Sequence, residues 1–223
     1  MRFWGMVVFG VLGTAILLSL GIWQLQRLAW KQEVLRAIES KILAPAVEIP
    51  QTVLPDAHSL LPVRAEGRYK GDTVRVLVSQ KIYGAGYRLI TAFELVDGRT
   101  IMLDRGFTSV RSEIPSTPEG RGQVIGNLQW PQEIDSFTPE NDLAANIWFA
   151  RDVARLAEHL KAEPVLLVLR DSSFETEAAT PLPKMTANIP NDHMNYAITW
   201  FSLALIWLGM SGYFLYRSRD THL

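Results

Sequence analysis

The sequence predicts a membrane α+β protein: two transmembrane helices flanking a β-rich, antiparallel soluble domain with one or two short helices. Three observations carry this reading. Residues 3–26 and 194–216 contain no charged side chain, and roughly 20 residues at ~1.5 Å rise each suffice to cross a bilayer's hydrocarbon. Between them lie short runs rich in Val, Ile, Leu and aromatics, punctuated by glycine. One stretch alone in that middle, "NIWFARDVARLAEHLKA", has helical spacing, with Val153, Leu156 and Leu160 on one face.

The first apolar run is too long for the ~7–15-residue apolar region of a cleaved secretory signal, although Ser19-Leu20-Gly21 loosely imitates a cleavage site. The chain after it, residues 27–43, has no Gly or Pro until its end and is expected to continue as an amphipathic helical extension, with Leu28, Leu35, Ile38 and Ile42 near helical spacing. Pro45, Pro50, Pro55 and Pro62 then make 44–62 an extended lead into the soluble domain, which is assigned to 44–190. "VRAEGRYKG", "TVRVLVSQKI", "YRLITAFEL", "DGRTIMLDRGFTSV" and "GQVIGNLQW" read as strands, with Asp97-Gly98 a hairpin turn. "PVLLVLRDSS" reads as a buried strand, and "TPLPKMTANIPN" returns through three prolines to the second span. Residues 217–223 form a tail.

Composition removes several classes of function. Cysteine is absent, so disulfides, thiolate metal sites and Cys nucleophiles are excluded. Residues 40–190 hold 16 Lys/Arg against 19 Asp/Glu, a net charge of −3, which suits no nucleic-acid phosphate backbone. The two glycines of "YGAGYR" lack the third glycine and following helix of a dinucleotide fingerprint and are expected at a hairpin or bulge. Asp104 and Arg105 are neighbours in a strand, so they point to opposite faces; one is expected solvated and one hydrogen-bonded. There is no Gly-x-Ser-x-Gly, and the four histidines, at 58, 159, 193 and 222, form no triad pattern. No enzyme activity is expected.

Both termini share one side of the membrane if both runs span it. Arg217 and Arg219 mark that side as cytoplasmic, while Arg27, Lys31 and Arg36 argue the reverse, diluted by Glu33 and Glu39. The expectation is a soluble domain on the outer, periplasmic side. A mitochondrial presequence would precede the membrane segment, whereas this apolar run begins at Phe3, so a bacterial inner membrane is the simpler address.

His193 stands apart from the other histidines, at the mouth of the second helix in "NDHMNYAITWFSLA". On a 100° wheel His193, Trp200, Ala204, Trp207 and Ser211 fall within about 40° of one line, with Tyr196 about 60° aside. Gly10, Thr14, Gly21 and Gln24 form a matching stripe of small and polar residues on the first helix. Trp23, Arg27 and Trp30 at i, i+4 and i+7 place a guanidinium between two indoles at that helix's exit. Two readings fit: interfacial anchoring and helix pairing, or an axial imidazole ligand with indoles lining a planar cofactor and Arg27 facing a carboxylate.

"GIWQLQRLAWKQEVL" at 21–35 and "NDHMNYAITWFSLA" at 191–204 resemble the two signatures of the surfeit-locus family of cytochrome c oxidase assembly factors. "GAGYRLITAFELVDGRTIMLDRGF" and "FTPENDLAANIWFARDV" are similar to the family's central segments, so the likeness runs in order through nearly the whole chain. Where the family often has Asn-Arg-Gly-Trp, this chain has Asp104, Arg105, Gly106 and Phe107. The resemblance implies a role in inserting haem into the large oxidase subunit. In bacterial members it implies transient haem A binding with the residue matching His193 as iron ligand. The expected site is then His193, Tyr196, Trp200 and Trp207 with Arg27 and Trp23. The expected partners are the large subunit of cytochrome c oxidase, a haem A synthesis enzyme and the lipid bilayer, with no nucleic acid. The alternative is a haem-free membrane scaffold binding oxidase subunits or a haem-synthesis enzyme.

Overall fold

A computed structural model describes residues 2–175, 177–183 and 189–220, without the side chains of Arg2, Arg219 and Asp220. His222 and the end of the tail lie outside the described residues, as does part of the proline-rich return segment. The chain forms two compact units: its two ends together, and Ser40–Met185.

The first unit is a helical hairpin. Helix α1 runs unbroken over Arg2–Ile42, 41 residues, and α4 over His193–Asp220, 28 residues. Both are long and apolar enough to cross a membrane. No Gly or Pro interrupts the turn after Gln26, so the apolar span and its charged extension are one helix. The least exposed residues of α1 include Gly10, Thr14, Leu17, Gly21, Gln24 and Leu28, alternating four and three apart. Those of α4, His193, Ala197, Trp200, Ala204, Trp207 and Ser211, follow the same alternation. A mean spacing of 3.5 residues is the seam of a left-handed helix pair. Small residues set its closeness: a Cβ on Gly13 would stand 2.3 Å from Trp207 Nε1, and one on Gly21 2.6 Å from the Phe201 ring.

The second unit is a closed five-stranded barrel. Strands β2 (Pro62–Gln80), β3 (Gly84–Leu95) and β4 (Thr100–Ser109) form an antiparallel meander. Strand β7 (Leu166–Ser172) adds to β4 in parallel, β5 (Gly122–Gln129) pairs antiparallel with β7, and β5 returns to β2 to close the ring. Closure rests on β2. Its Pro62–Gly67 half pairs with β5, and its Gly67–Gln80 half pairs with β3 across an irregularity between Lys70 and Thr73. The two runs read from the sequence as separate strands are therefore one bent strand, for which a bulge supplies the curvature. The short strands β1 (Val47–Glu48) and β6 (Ile147–Trp148) lie parallel to β2, and a four-residue helix α2 (Pro55–His58) occupies part of the predicted extended lead.

Alternation along the strands gives the barrel two apolar faces. Val63, Phe93, Ile101, Leu103, Leu128 and Leu167 fill the inside. Ile90, Met102, Leu166 and Val168 face outward and are covered by α3 (Val153–Leu160) through Val153, Leu156 and Ala157. Asp152 caps α3, its side chain accepting from the backbone N–H groups of Ala154 and Arg155.

The expectation for Asp104 and Arg105 is corrected: both are fully buried and both are ion-paired. Asp104 Oδ2 accepts from Arg88 Nε at 2.7 Å and stands 3.5 Å from Arg151, which also pairs with Glu133. On the opposite face Arg105 donates to Glu177, to which Tyr69 Oη also donates at 2.6 Å. Burial and the bond to Glu177 push the Tyr69 hydroxyl far above its usual range. Gly106 separates the two faces with φ +116°, and a Cβ there would meet the Thr180 carbonyl at 2.1 Å. Phe107 and Thr180 exchange backbone hydrogen bonds at that point, and Arg88 donates to the Leu182 carbonyl. Strand β4 thus clamps the segment leaving the barrel.

Candidate functional site

His193 is the first residue of α4, half-buried at the end of the helix seam. Its Nδ1 lies 2.8 Å from Oε1 of Gln24, a residue only 8% exposed. An amide oxygen can only accept, so Nδ1 carries a proton, and in the neutral ring the lone pair is then on Nε2. Among the described residues nothing engages Nε2. Lys31 Nζ donates to the Pro190 carbonyl just before α4, tying the same end together. Among the described residues the imidazole is therefore held at one nitrogen and unengaged at the other, which in the neutral ring is the form that ligates a metal.

The remaining predicted residues divide into two groups. Trp200 is half-buried two turns below His193; Tyr196 and Trp23 are exposed on the outer surface of the hairpin, 57% and 53% respectively. Arg27 stacks over Trp30 with its guanidinium carbon 4.2 Å from the ring centroid. By their positions along α1 and α4 these side chains lie toward the same end of the helix pair as His193. Trp207 is elsewhere. It donates to the Gly10 carbonyl at 3.2 Å and packs on Phe9 at 5.1 Å between ring centroids. Fourteen residues of helix separate it from His193, about 21 Å, so it belongs to the helix pairing and not to a group centred on the imidazole. The line seen on the wheel faces the other helix.

Sequence reasoning placed Gln24 on the small-residue stripe and missed it as the histidine's partner. The available signal was its type: Gln24 and Gln26 are the two amide side chains of the uncharged run 3–26, and a polar group inside a helix seam needs a partner. A cleft of about 540 Å³ on the barrel unit, lined by Trp130, Pro131, Glu133, Asp152, Val153 and Pro164 among others, was not foreseen. No cluster of metal-ligating side chains occurs among the described residues.

A model of the SURF1 family matches residues 11–205, taking in Gln24, His193 and the whole barrel. The chain belongs to the SURF1 family. It is similar to the SURF1-like protein of Rickettsia prowazekii, 29% identical over 94% of this chain and 88% of that one. The SURF1-like protein of Rickettsia felis is 28% identical over 85% of this chain and 88% of its own length. Surfeit locus protein 1 of Homo sapiens is 29% identical over 83% of this chain and 69% of the human protein. Family membership agrees with the resemblance read from the two helix signatures. The two membrane-competent helices fit a membrane protein.

Proposed function

We propose that this chain is a non-enzymatic assembly factor for cytochrome c oxidase that carries haem A as cargo and passes it to the large oxidase subunit. In this reading α1 and α4 span a bacterial inner membrane, both termini are cytoplasmic and the barrel lies on the periplasmic side. The observation that carries it is the state of His193 at the start of an apolar helix: Nδ1 is held by Gln24, and nothing among the described residues engages Nε2. The donor set fits haem, since neutral imidazole is a common axial ligand of its iron. Trp200 and Tyr196 offer apolar surface beside it, and Arg27 with Trp23 a cationic, aromatic rim that suits a propionate. A single protein ligand on a lipid-facing site also suits a carrier, which has to release its cargo. The barrel would supply the docking surface for the oxidase subunit and for a haem A synthesis enzyme.

The test is the visible spectrum of full-length protein purified from cells that make haem A. His193→Ala should lose or shift the Soret band, while His159→Ala, on the surface helix α3, should leave it unchanged. An unchanged band in His193→Ala would remove His193 from the site. The engagement of Trp207 and Phe201 in helix pairing favours a second reading, a haem-free scaffold. Haem-free wild-type protein from such cells would establish it.

A further inference from the structure

We infer that Gln24 is a positioning residue that sets which imidazole nitrogen of His193 is the donor and how strongly it donates. The inference rests on the haem reading and deepens it. Gln24 is buried in the seam, at 8% exposure, and its Oε1 meets Nδ1 of His193 at 2.8 Å across 169 residues of chain. Two orientations of the amide have opposite consequences. With Oε1 toward the ring, the proton stays on Nδ1 and the lone pair points outward from Nε2. With the amide turned, its NH2 would donate to Nδ1, the ring proton would move to Nε2, and the outward nitrogen could not bind iron. The structure has the first orientation.

An acceptor on the far nitrogen also pulls on the N–H bond and makes the ring more basic at the ligating nitrogen. A neutral amide is a weaker acceptor than a carboxylate, so Gln24 holds the imidazole in the binding tautomer without making it a strong ligand. That balance matches a protein that takes up haem and gives it away. Placement on the opposite helix adds a coupling: the ligand is ordered only when α1 and α4 are paired at this level.

The experiment uses the full chain loaded with haem A during expression, with three variants compared to wild type: Gln24→Leu, Gln24→Glu and His193→Ala. Two quantities are measured, the iron midpoint potential and the rate of haem loss to excess apomyoglobin. Removal of an outer partner of a ligating histidine typically costs about 10–100-fold in affinity. Gln24→Leu should therefore lose haem about 10–100-fold faster and show a raised potential. Gln24→Glu, close in size and a stronger acceptor, should hold haem longer and show a lowered potential. A role confined to helix packing would not order the potentials Glu below Gln below Leu. Equal potentials and loss rates across the Gln24 series, with haem absent from His193→Ala, would overturn the inference and leave the haem site standing. Retention of haem by His193→Ala, or haem-free wild type, would overturn both. Should Gln24→Leu fail to fold, the shift in Gln24→Glu decides.

Discussion

Replacement of Asp104 by alanine tests the most heavily buried part of the barrel. Its carboxylate is fully buried, 2.7 Å from Arg88 Nε, and its other oxygen accepts from the Gly106 N–H at 3.1 Å. The Arg88 side chain is itself only 10% exposed. Breaking a buried ion pair by deleting one partner costs about 3–5 kcal/mol, and an orphaned buried N–H about 1–3 kcal/mol. These losses share one site and do not add. They are also softened, because Arg88 keeps the Leu182 carbonyl and Arg151 keeps Glu133. The expected destabilisation for Asp104→Ala is about 3–5 kcal/mol, roughly a fifth or more of a typical domain's stability of about 5–15 kcal/mol. Asp104→Asn keeps the size and the acceptor for Gly106 and loses only the charge; by the strength of charged hydrogen bonds it should cost about 1.5–3 kcal/mol. Urea unfolding of the full chain in detergent, followed by fluorescence of the barrel's Trp130 and Trp148, measures both. An alanine variant within about 1 kcal/mol of wild type, below the range for broken buried pairs, would refute the structural role given to this pair.

Other outcomes follow from the same geometry. Gly13→Val puts a branched side chain where even a Cβ meets the Trp207 indole at 2.3 Å; the helices should part locally, read as loss of cysteine crosslinking between engineered positions along the seam. Glu177→Ala strips the buried Arg105 of its carboxylate partner, leaving it the Pro115 and Ser116 carbonyls, and should destabilise the barrel by about 3–5 kcal/mol, measured by the same urea titration. Burial pushes the Glu133 carboxyl up, but hydrogen bonds and charge from Arg151 outweigh it and hold the carboxyl below its ordinary 4.5. Its contribution is present above pH 4.5 and is lost as pH falls through the lower folded value, so Glu133→Gln should flatten the acid limb of a stability-against-pH curve. Tyr69 acts at the other end: its raised folded value makes its contribution complete below pH 10.0 and progressively lost above it, and Tyr69→Phe should remove that alkaline loss.

Much of the helical unit was legible because its signals are local. Uncharged runs gave the two membrane-competent helices, and the wheel found the seam because helical period alone decides which residues share a face. The barrel was legible strand by strand, including the turn at Asp97-Gly98 that joins β3 to β4. Its closure was not, since the pairing of Pro62 with Asn127 and the parallel pairing of Met102 with Leu166 join segments without sequence proximity. The burial of Asp104 and Arg105 was misread for the same reason: Arg88 lies 16 residues away and Glu177 lies 72 away, and two adjacent charges look solvated until those partners are placed. The site repeats the pattern, with His193 conspicuous in the sequence and Gln24, 169 residues earlier, visible only once the helices pair.

Pigment analysis of wild-type protein from a haem A-producing cell tests the central proposal most directly. The account predicts co-purified haem A at no more than one per chain, with a Soret band that depends on His193. Protein that emerges free of haem from such cells would contradict it.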